Sequence, residues 1–155
     1  MAKRTIWVGM LALVLVFGVL VSGCASLFGR SRTPASFIAG SGGDTTILLR
    51  QGLDADQAFR EIIFILNRHG FQPEMMNPEA GFLRTRWNTT WTTFRDGSRE
   101  RYRVSVIIQF NPARTQVIVQ APAEFSVDGG VNWREGYDRR AIETLRNDIT
   151  MAIGN

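Results

Sequence analysis

Two stretches of alternating apolar and polar residues meet at Asp96-Gly97, and this pattern constrains the fold more than any other part of the sequence. Asp-Gly is a preferred two-residue turn between antiparallel strands. With Arg95 facing Ser98, one register gathers the apolar side chains on one face, and a one-residue shift would expose them to water. The predicted apolar pairs are Leu83 with Phe110, Thr85 with Ile108, Trp87 with Val106, Thr89 with Val104, and Trp91 with Tyr102.

Further strands extend this hairpin. A turn at 111–114 pairs Ile108 with Val117 and Val106 with Val119. Shorter apolar stretches predict strands at 45–50 and 71–76, the second of which precedes a turn at 77–81. The sequence therefore predicts an antiparallel sheet of about four to five strands, with one face in water.

Two helices are predicted to cover the apolar face. The first spans 55–69, with Asp54 as N-cap, Gln57 completing a capping box, and Gly70 followed by Phe71 at its end. The second spans 138–153, where apolar residues recur with helical spacing. The predicted fold class is α+β, with both helices packed on one face of the sheet.

The N-terminus has the layout of a secretory signal peptide. Lys3 and Arg4 precede an uncharged, nearly all-apolar run at 6–21, and small residues follow. The alternative is a signal anchor, although the run is slightly shorter than the roughly 18–20 residues that span a bilayer. Residues 20–24, Leu-Val-Ser-Gly-Cys, resemble the bacterial lipobox. That resemblance implies a lipidated Cys24 as first mature residue, anchored in a lipid bilayer.

The resemblance also implies a location. Residue 25 is Ala rather than the Asp of an inner-membrane retention signal, so the expected site is the periplasmic face of the outer membrane. The predicted division of the chain is a signal peptide at 1–23, a lipidated cysteine and flexible tether at 24–44, and a folded domain at 45–155. Phe28, Phe37 and Ile38 in the tether are alternatively expected to dock on the domain or on a partner.

Composition argues against several function classes. Without Lys3 and Arg4, 16 basic residues, all arginine, stand against 14 acidic ones, a net charge of about +2 that gives little reason to expect nucleic-acid binding. His69 is the only histidine and is predicted to cap the first helix. No nucleophile–base pair or metal-ligand spacing is recognisable, so we expect neither an enzyme nor a cofactor or metal site.

Two groups of side chains are candidate binding residues. Arg84, Arg86, Arg101 and Arg103 are predicted on the wet face, either as a patch for acidic partners or as a solvated face that discourages aggregation. Trp87 and Trp91 are predicted in the core. The alternative is a cleft between sheet and helices, where Trp87, Trp91 and Tyr102 would bind a small amphiphile or glycan.

Residues 126–133, Ser-Val-Asp-Gly-Gly-Val-Asn-Trp, resemble the Asp-box turn of sialidase-like propellers. That motif recurs once per propeller blade. Here it occurs once and is predicted to lead into a helix, so the sequence excludes a propeller and favours an independent tight turn.

The order of elements, together with Gly81-Phe82-Leu83-Arg84-Thr85-Arg86-Trp87, resembles the helix-grip domains of BamC-type lipoproteins of the outer-membrane β-barrel assembly machinery. The resemblance implies a helix-grip-like fold and a non-enzymatic accessory or scaffolding role in envelope assembly through protein–protein contacts. That family carries two such domains, whereas this chain has one.

Overall fold

The computed structural model describes residues 33–93 and 97–155. The predicted signal peptide, Cys24, the first part of the tether with Phe28, and Asp96 of the predicted turn lie outside these ranges. Residues 33–155 form one compact unit.

Within residues 33–93 and 97–155 the structure contains ten strands and two helices. The helices are α1 (Ala55–Arg68) and α2 (Arg139–Ile153). The strands are β1 (Phe37–Ala39), β2 (Asp44–Leu48), β3 (Pro73–Asn77), β4 (Phe82–Thr85), β5 (Asn88–Thr93), β6 (Arg99–Val104), β7 (Ile107–Phe110), β8 (Gln116–Gln120), β9 (Pro122–Ser126) and β10 (Arg134–Asp138). The α+β class and the two helices are confirmed.

The strands form two antiparallel sheets of five strands each, rather than one sheet of four to five. Sheet A has the order β1-β10-β9-β6-β5, and sheet B has the order β2-β8-β7-β4-β3. Three stretches of chain contribute to both sheets, because β4 is followed closely by β5, β6 by β7, and β8 by β9. These stretches bend where they pass from one sheet to the other.

Two buried hydroxyl groups hold the bend. The Thr85 hydroxyl accepts a 2.9 Å hydrogen bond from the Val106 N–H, and the Ser105 hydroxyl donates a 2.9 Å hydrogen bond to the Thr85 carbonyl. Both side chains are almost fully buried. Because backbone groups away from water need partners, these hydroxyls stabilise the bend where the regular ladder is interrupted.

The predicted register of the first hairpin is wrong. Leu83 pairs with Ile108 in sheet B, and Trp91 pairs with Arg101 in sheet A. Arg84 pairs with Ile107 in sheet B, and Asn88 pairs with Val104 in sheet A. Between these two pairs, one chain segment moves four residues along the sequence and its partner segment moves only three. The extra residue acts as a bulge and reverses the alternation of side chains in β5.

This reversal changes which side chains are buried. Leu83 and Thr85 lie in the core as predicted, whereas Trp87 and Trp91 are 40% and 49% exposed. The prediction that both tryptophans are core residues is therefore wrong.

The second hairpin is also shifted. Ile108 pairs with Val119, and Phe110 pairs with Val117. The shift relative to the prediction is two residues, which keeps the same side chains on the apolar face. Val117 and Val119 are fully buried as a result.

Both helices begin and end close to the predicted residues. The Asp54 carboxylate accepts a 3.0 Å hydrogen bond from the Gln57 N–H. At the other end of α1, the Phe71 N–H donates to the Leu66 carbonyl, and Gly70 has a φ of 79°. Helix α2 packs on α1 and on strands β2 and β8 of sheet B.

The folded unit begins before the predicted boundary at residue 45. Strand β1 pairs with β10, and Phe37 is only 7% exposed, packed against Tyr102 and Phe125. For Phe37 the structure shows the alternative: this residue docks on the domain and is not part of a flexible tether. Neither helix in the described part of the chain is long and apolar enough to cross a membrane.

Candidate functional site

The outer face of sheet A carries two arginines stacked on three tryptophans. The guanidinium carbon of Arg101 lies 3.5 Å from the centroid of the Trp91 ring. That of Arg103 lies 4.8 Å from the Trp87 ring and 4.1 Å from the Trp133 ring. We call these five residues the Arg–Trp surface.

Strand pairing explains why these residues meet. Arg101 and Arg103 are two positions apart in β6, so both side chains leave the same face. Trp91 is the direct cross-strand partner of Arg101, and the bulge before β5 turns its side chain towards that face. Stacking on an indole places each cation over the electron-rich face of a ring.

Arg103 is neutralised within the sheet. Glu124 in β9 is its direct cross-strand partner, and the carboxylate accepts hydrogen bonds from both Nε, at 2.8 Å, and Nη2 of Arg103. Both side chains are partly buried. Both N–H groups donate to the same carboxylate oxygen, Oε2, and this charge-assisted pair holds the guanidinium between Trp87 and Trp133.

Arg101 is not neutralised in this way. Among residues 33–93 and 97–155, no carboxylate pairs with it, and its buried Nε has no hydrogen-bond acceptor. A buried donor without an acceptor costs free energy. Arg101 as a whole is only partly buried, so its charge is open to an anion from outside the domain. Arg101 is therefore the cation of the Arg–Trp surface that is available to an acidic ligand.

The loop at 126–133 forms one wall of this surface. The Asp128 carboxylate accepts hydrogen bonds from the Ser126 hydroxyl and from the Val131 and Asn132 N–H groups. These bonds, that from Ser126 first, hold the pKa of Asp128 well below its usual range. The loop thereby holds Trp133 beside Arg103.

The prediction that this loop leads into a helix is wrong. It connects β9 to β10, so it forms a hairpin turn as Asp-box motifs do, and α2 begins only at Arg139. Trp133 and Glu124 were not predicted as site residues. Trp133 belongs to the Asp-box motif, whereas no sequence pattern marks Glu124.

The four predicted arginines do not share one face. Arg84 lies in β4 of sheet B, with its Nη2 3.4 Å from a Glu74 carboxylate oxygen. Arg86 is exposed between β4 and β5, outside both strands. Arg101 and Arg103 remain together in sheet A, joined there by Trp87 and Trp91.

Tyr102 lies on the inner side of sheet A, away from Trp91. Its hydroxyl donates a 2.5 Å hydrogen bond to Asp138, the N-cap of α2, and its ring packs edge-on against Phe37. Burial and this hydrogen bond raise the pKa of Tyr102 above its usual value. The structure therefore does not bring together the predicted cleft residues Trp87, Trp91 and Tyr102.

Two pockets provide further candidate ligand sites. One of about 540 Å³ runs between α1 and the turn after β3, lined by Phe59, Ile63 and Met76 among others. The other, of about 450 Å³, lies beside the Arg–Trp surface and is lined by Trp87, Glu124, Glu135 and the glycine-rich loop at 40–43.

His69 ends helix α1, as predicted, and it also links the two helices. Its Nε2 lies 2.7 Å from an Asp148 carboxylate oxygen on α2, which also accepts from Arg68. These two hydrogen bonds, that of His69 first, lower the pKa of Asp148. Within the described residues, no three acidic, histidine or cysteine side chains are grouped to hold a metal ion.

No protein-family model matches the chain, and no curated protein matches it.

Proposed function

We propose that this chain is a lipid-anchored, non-enzymatic lipoprotein on the periplasmic face of the outer membrane, where it acts as an accessory or scaffolding component of envelope assembly. Its domain binds an acidic region of a partner protein through the Arg–Trp surface. The lipobox-like residues 20–24 support the anchor. Bent antiparallel strands and a closing helix α2 support a helix-grip-like fold of the BamC type.

The observation that carries the binding proposal is the state of Arg101. Its guanidinium is stacked on a half-exposed tryptophan and lacks a carboxylate partner among the described residues. Tryptophan and arginine are the residues most enriched at the energetic centres of protein interfaces. Stacking also preorganises the cation, which lowers the entropy lost when an anion binds.

Charge reversal tests the binding proposal. Photo-crosslinking in the native envelope, followed by identification of the captured proteins, should recover a partner with the unmodified chain. Arg101→Glu should abolish that capture, because the anion then meets a negative charge. Arg84→Glu reverses a more exposed charge in sheet B and should leave capture unchanged. Equal capture by both variants would contradict binding through the Arg–Trp surface.

The anchor has a separate test. Cys24→Ser should abolish acyl labelling and cleavage of the signal peptide, and it should release the domain from the membrane fraction. Normal processing and membrane retention of this variant would contradict the lipoprotein proposal, whatever the result for Arg101.

A second candidate function is binding of a glycan or small amphiphile. The pocket of about 450 Å³ favours it, because the Trp87 indole offers an apolar wall and Glu124 and Glu135 offer acceptors for hydroxyl groups. Soluble peptidoglycan fragments are a suitable probe in calorimetry. Glu135→Ala changes a residue of this pocket that lies outside the Arg–Trp surface, so it should weaken their binding and leave partner capture intact. Absence of binding by the unmodified domain would exclude this candidate for that glycan class.

A further inference from the structure

Strand β5 is an open edge of sheet A. Among residues 33–93 and 97–155, it pairs with β6 on one side and with no strand on the other. On that side, strand β3 pairs with β4, the strand that precedes β5 in the chain. The last hydrogen bond of this pairing runs from the Arg86 N–H to the Gln72 carbonyl. Beyond Arg86, the backbone of residues 88–93 therefore faces solvent along one side.

This edge lacks the features that usually prevent pairing with another chain. Its six residues, Asn-Thr-Thr-Trp-Thr-Thr, include no proline, glycine or charged side chain. Exposed edges are normally shortened, charged, bulged or interrupted by proline. The other edge of sheet A, β1, has only three residues, and edge strand β3 of sheet B begins with Pro73 and contains a bulge.

The side chains on this edge favour an extended ligand. Threonine and tryptophan are strand-forming residues, and residues 88–92 are all exposed. Trp91 lies in β5 itself, and the Arg101 guanidinium is stacked on its ring. The Arg101 guanidinium, which has no carboxylate partner among the described residues, is thus held over β5. An added strand would lie beside β5, next to this cation.

We propose that β5 binds an extended, acidic segment of the partner protein, which adds to sheet A as a sixth strand. Main-chain hydrogen bonds to residues 88–93 provide affinity, and a carboxylate on the outer face of the segment binds Arg101. Because side chains alternate along a strand, acidic residues at every second position all reach that face. This inference rests on the proposed binding through the Arg–Trp surface and specifies its mode.

A synthetic peptide in which valine and glutamate alternate is the probe, tested against the intact domain. Calorimetry should detect binding, and hydrogen exchange should show protection of the amides in 88–93. The same peptide with N-methyl groups at alternate residues keeps its charge but cannot complete a ladder, so it should bind at least about tenfold more weakly. A valine–lysine peptide should bind no better than the methylated one.

Substitutions on the domain provide a second, independent comparison. Thr90→Lys with Thr92→Lys places charges on the β5 edge, leaves the Arg–Trp surface intact, and should weaken peptide binding about tenfold or more. Thr46→Lys is the matched control, because Thr46 is an exposed threonine on β2, an edge of sheet B. It should bind the peptide as the unmodified domain does.

Three outcomes would overturn the inference. The first is no binding of the valine–glutamate peptide, and the second is equal binding of its methylated form. The third is a concentration-dependent dimer that Thr90→Lys with Thr92→Lys dissociates, since β5 would then pair with a second copy. If partner capture is still lost with Arg101→Glu, binding through the Arg–Trp surface stands and only the added strand is wrong.

Discussion

The guanidinium carbon of Arg101 lies over the ring of Trp91, 3.5 Å from its centroid, on the outer face of sheet A. The two residues are direct cross-strand partners at the exposed edge of the sheet. On the other side of Arg101 lies Gly130, where a Cβ atom would lie 2.7 Å from both Cδ and Nη1 of the arginine. The loop at 126–133 and Trp91 together position the Arg101 guanidinium.

Gly130→Ala is therefore expected to displace Arg101 without removing its charge. Protons above the face of an indole have upfield NMR shifts, so the Arg101 side-chain signals should move towards ordinary values in this variant. Partner capture should fall with them, because the stacked and preorganised cation is lost.

Gly129→Ala is the matched control for this change. Both glycines have positive φ, so both substitutions should destabilise the loop by about 1–2 kcal/mol. No atom lies within 4 Å of a Cβ at Gly129, however, so the Arg101 signals should stay in place. If the two variants shift the Arg101 side-chain signals equally, the position of Arg101 depends on strain in the loop rather than on its contact with Gly130.

Asp138 joins strand β1, strand β6 and helix α2. Its carboxylate accepts hydrogen bonds from the Ala141 N–H, the Tyr102 hydroxyl and the Ser36 hydroxyl, and it is only 7% exposed. Asp138→Ala removes the helix cap and the acceptor shared by two hydroxyl groups, so we expect a loss of about 3 kcal/mol in the free energy of unfolding. Urea denaturation followed by circular dichroism measures it.

Asp54→Ala is the comparison for Asp138→Ala. Asp54 is an exposed N-cap of α1 whose carboxylate accepts from Gln57 N–H, so its loss should cost only about 1 kcal/mol. Equal losses in the two variants would show that Asp138 acts as a cap and no more.

Asp148 makes the packing of the two helices sensitive to acid. Its pKa is lowered in the folded state by hydrogen bonds from His69 and Arg68, so its contribution is present above the unfolded pKa of about 3.9 and is lost as pH falls through the lower folded value. Asp148→Asn should be less stable than the unmodified chain at neutral pH. That difference should shrink progressively below about pH 4, as measured by urea denaturation across pH.

Glu143→Gln is the control for the acid dependence. Glu143 is an exposed residue of α2 whose carboxylate lies 3.9 Å from Arg139, and exposed pairs contribute little. Its substitution should change stability only slightly at any pH. A stability difference for Asp148→Asn that is constant from neutral to strongly acidic pH would contradict the role given to its charge.

Thr85 tests the bend between the sheets. Thr85→Val keeps the shape of the side chain but removes the hydroxyl that accepts from Val106 N–H, so unfolding should require about 1–3 kcal/mol less. Thr46→Val, at an exposed position of β2, should be close to neutral. If Thr85→Val is as stable as the unmodified domain in urea, the bend does not depend on this hydroxyl.

Local signals in the sequence were sufficient for the helices. Asp54 with Gln57, and Gly70 with Phe71, act within a few residues of each helix end, so the limits of α1 follow from neighbouring side chains alone. The turn chemistry of Asp128 is equally local. The apolar residues of β7 and β8 also identified the core, because a two-residue shift in register leaves the buried face unchanged.

The candidate site could not be predicted in the same way. Arg101 and Arg103 were recognisable as alternating residues of a strand, and Trp87 and Trp91 as large aromatics, but they were assigned to opposite faces. One extra residue near Arg86 and Trp87 forms a bulge, and this bulge reverses the face of the side chains that follow. The sequence at the bulge contains no glycine or turn signal that would predict it. The strand β10 that follows Trp133 was missed for a similar reason, since its partners lie in β1 and β9.

By itself, the sequence determined the α+β class, the two helices, the caps of α1, the buried side of β7 and β8, and a small net positive charge carried by arginine. Each of these depends on residues close together in the chain or on simple alternation. Only the tertiary structure decided that the sheet divides into two and that Trp87 and Trp91 turn outward beneath the arginines. It also decided that Arg103 has a carboxylate partner, whereas Arg101 has none among the described residues. Those outcomes depend on which distant strands pair and where one extra residue is accommodated, and that choice is made by packing across the whole domain.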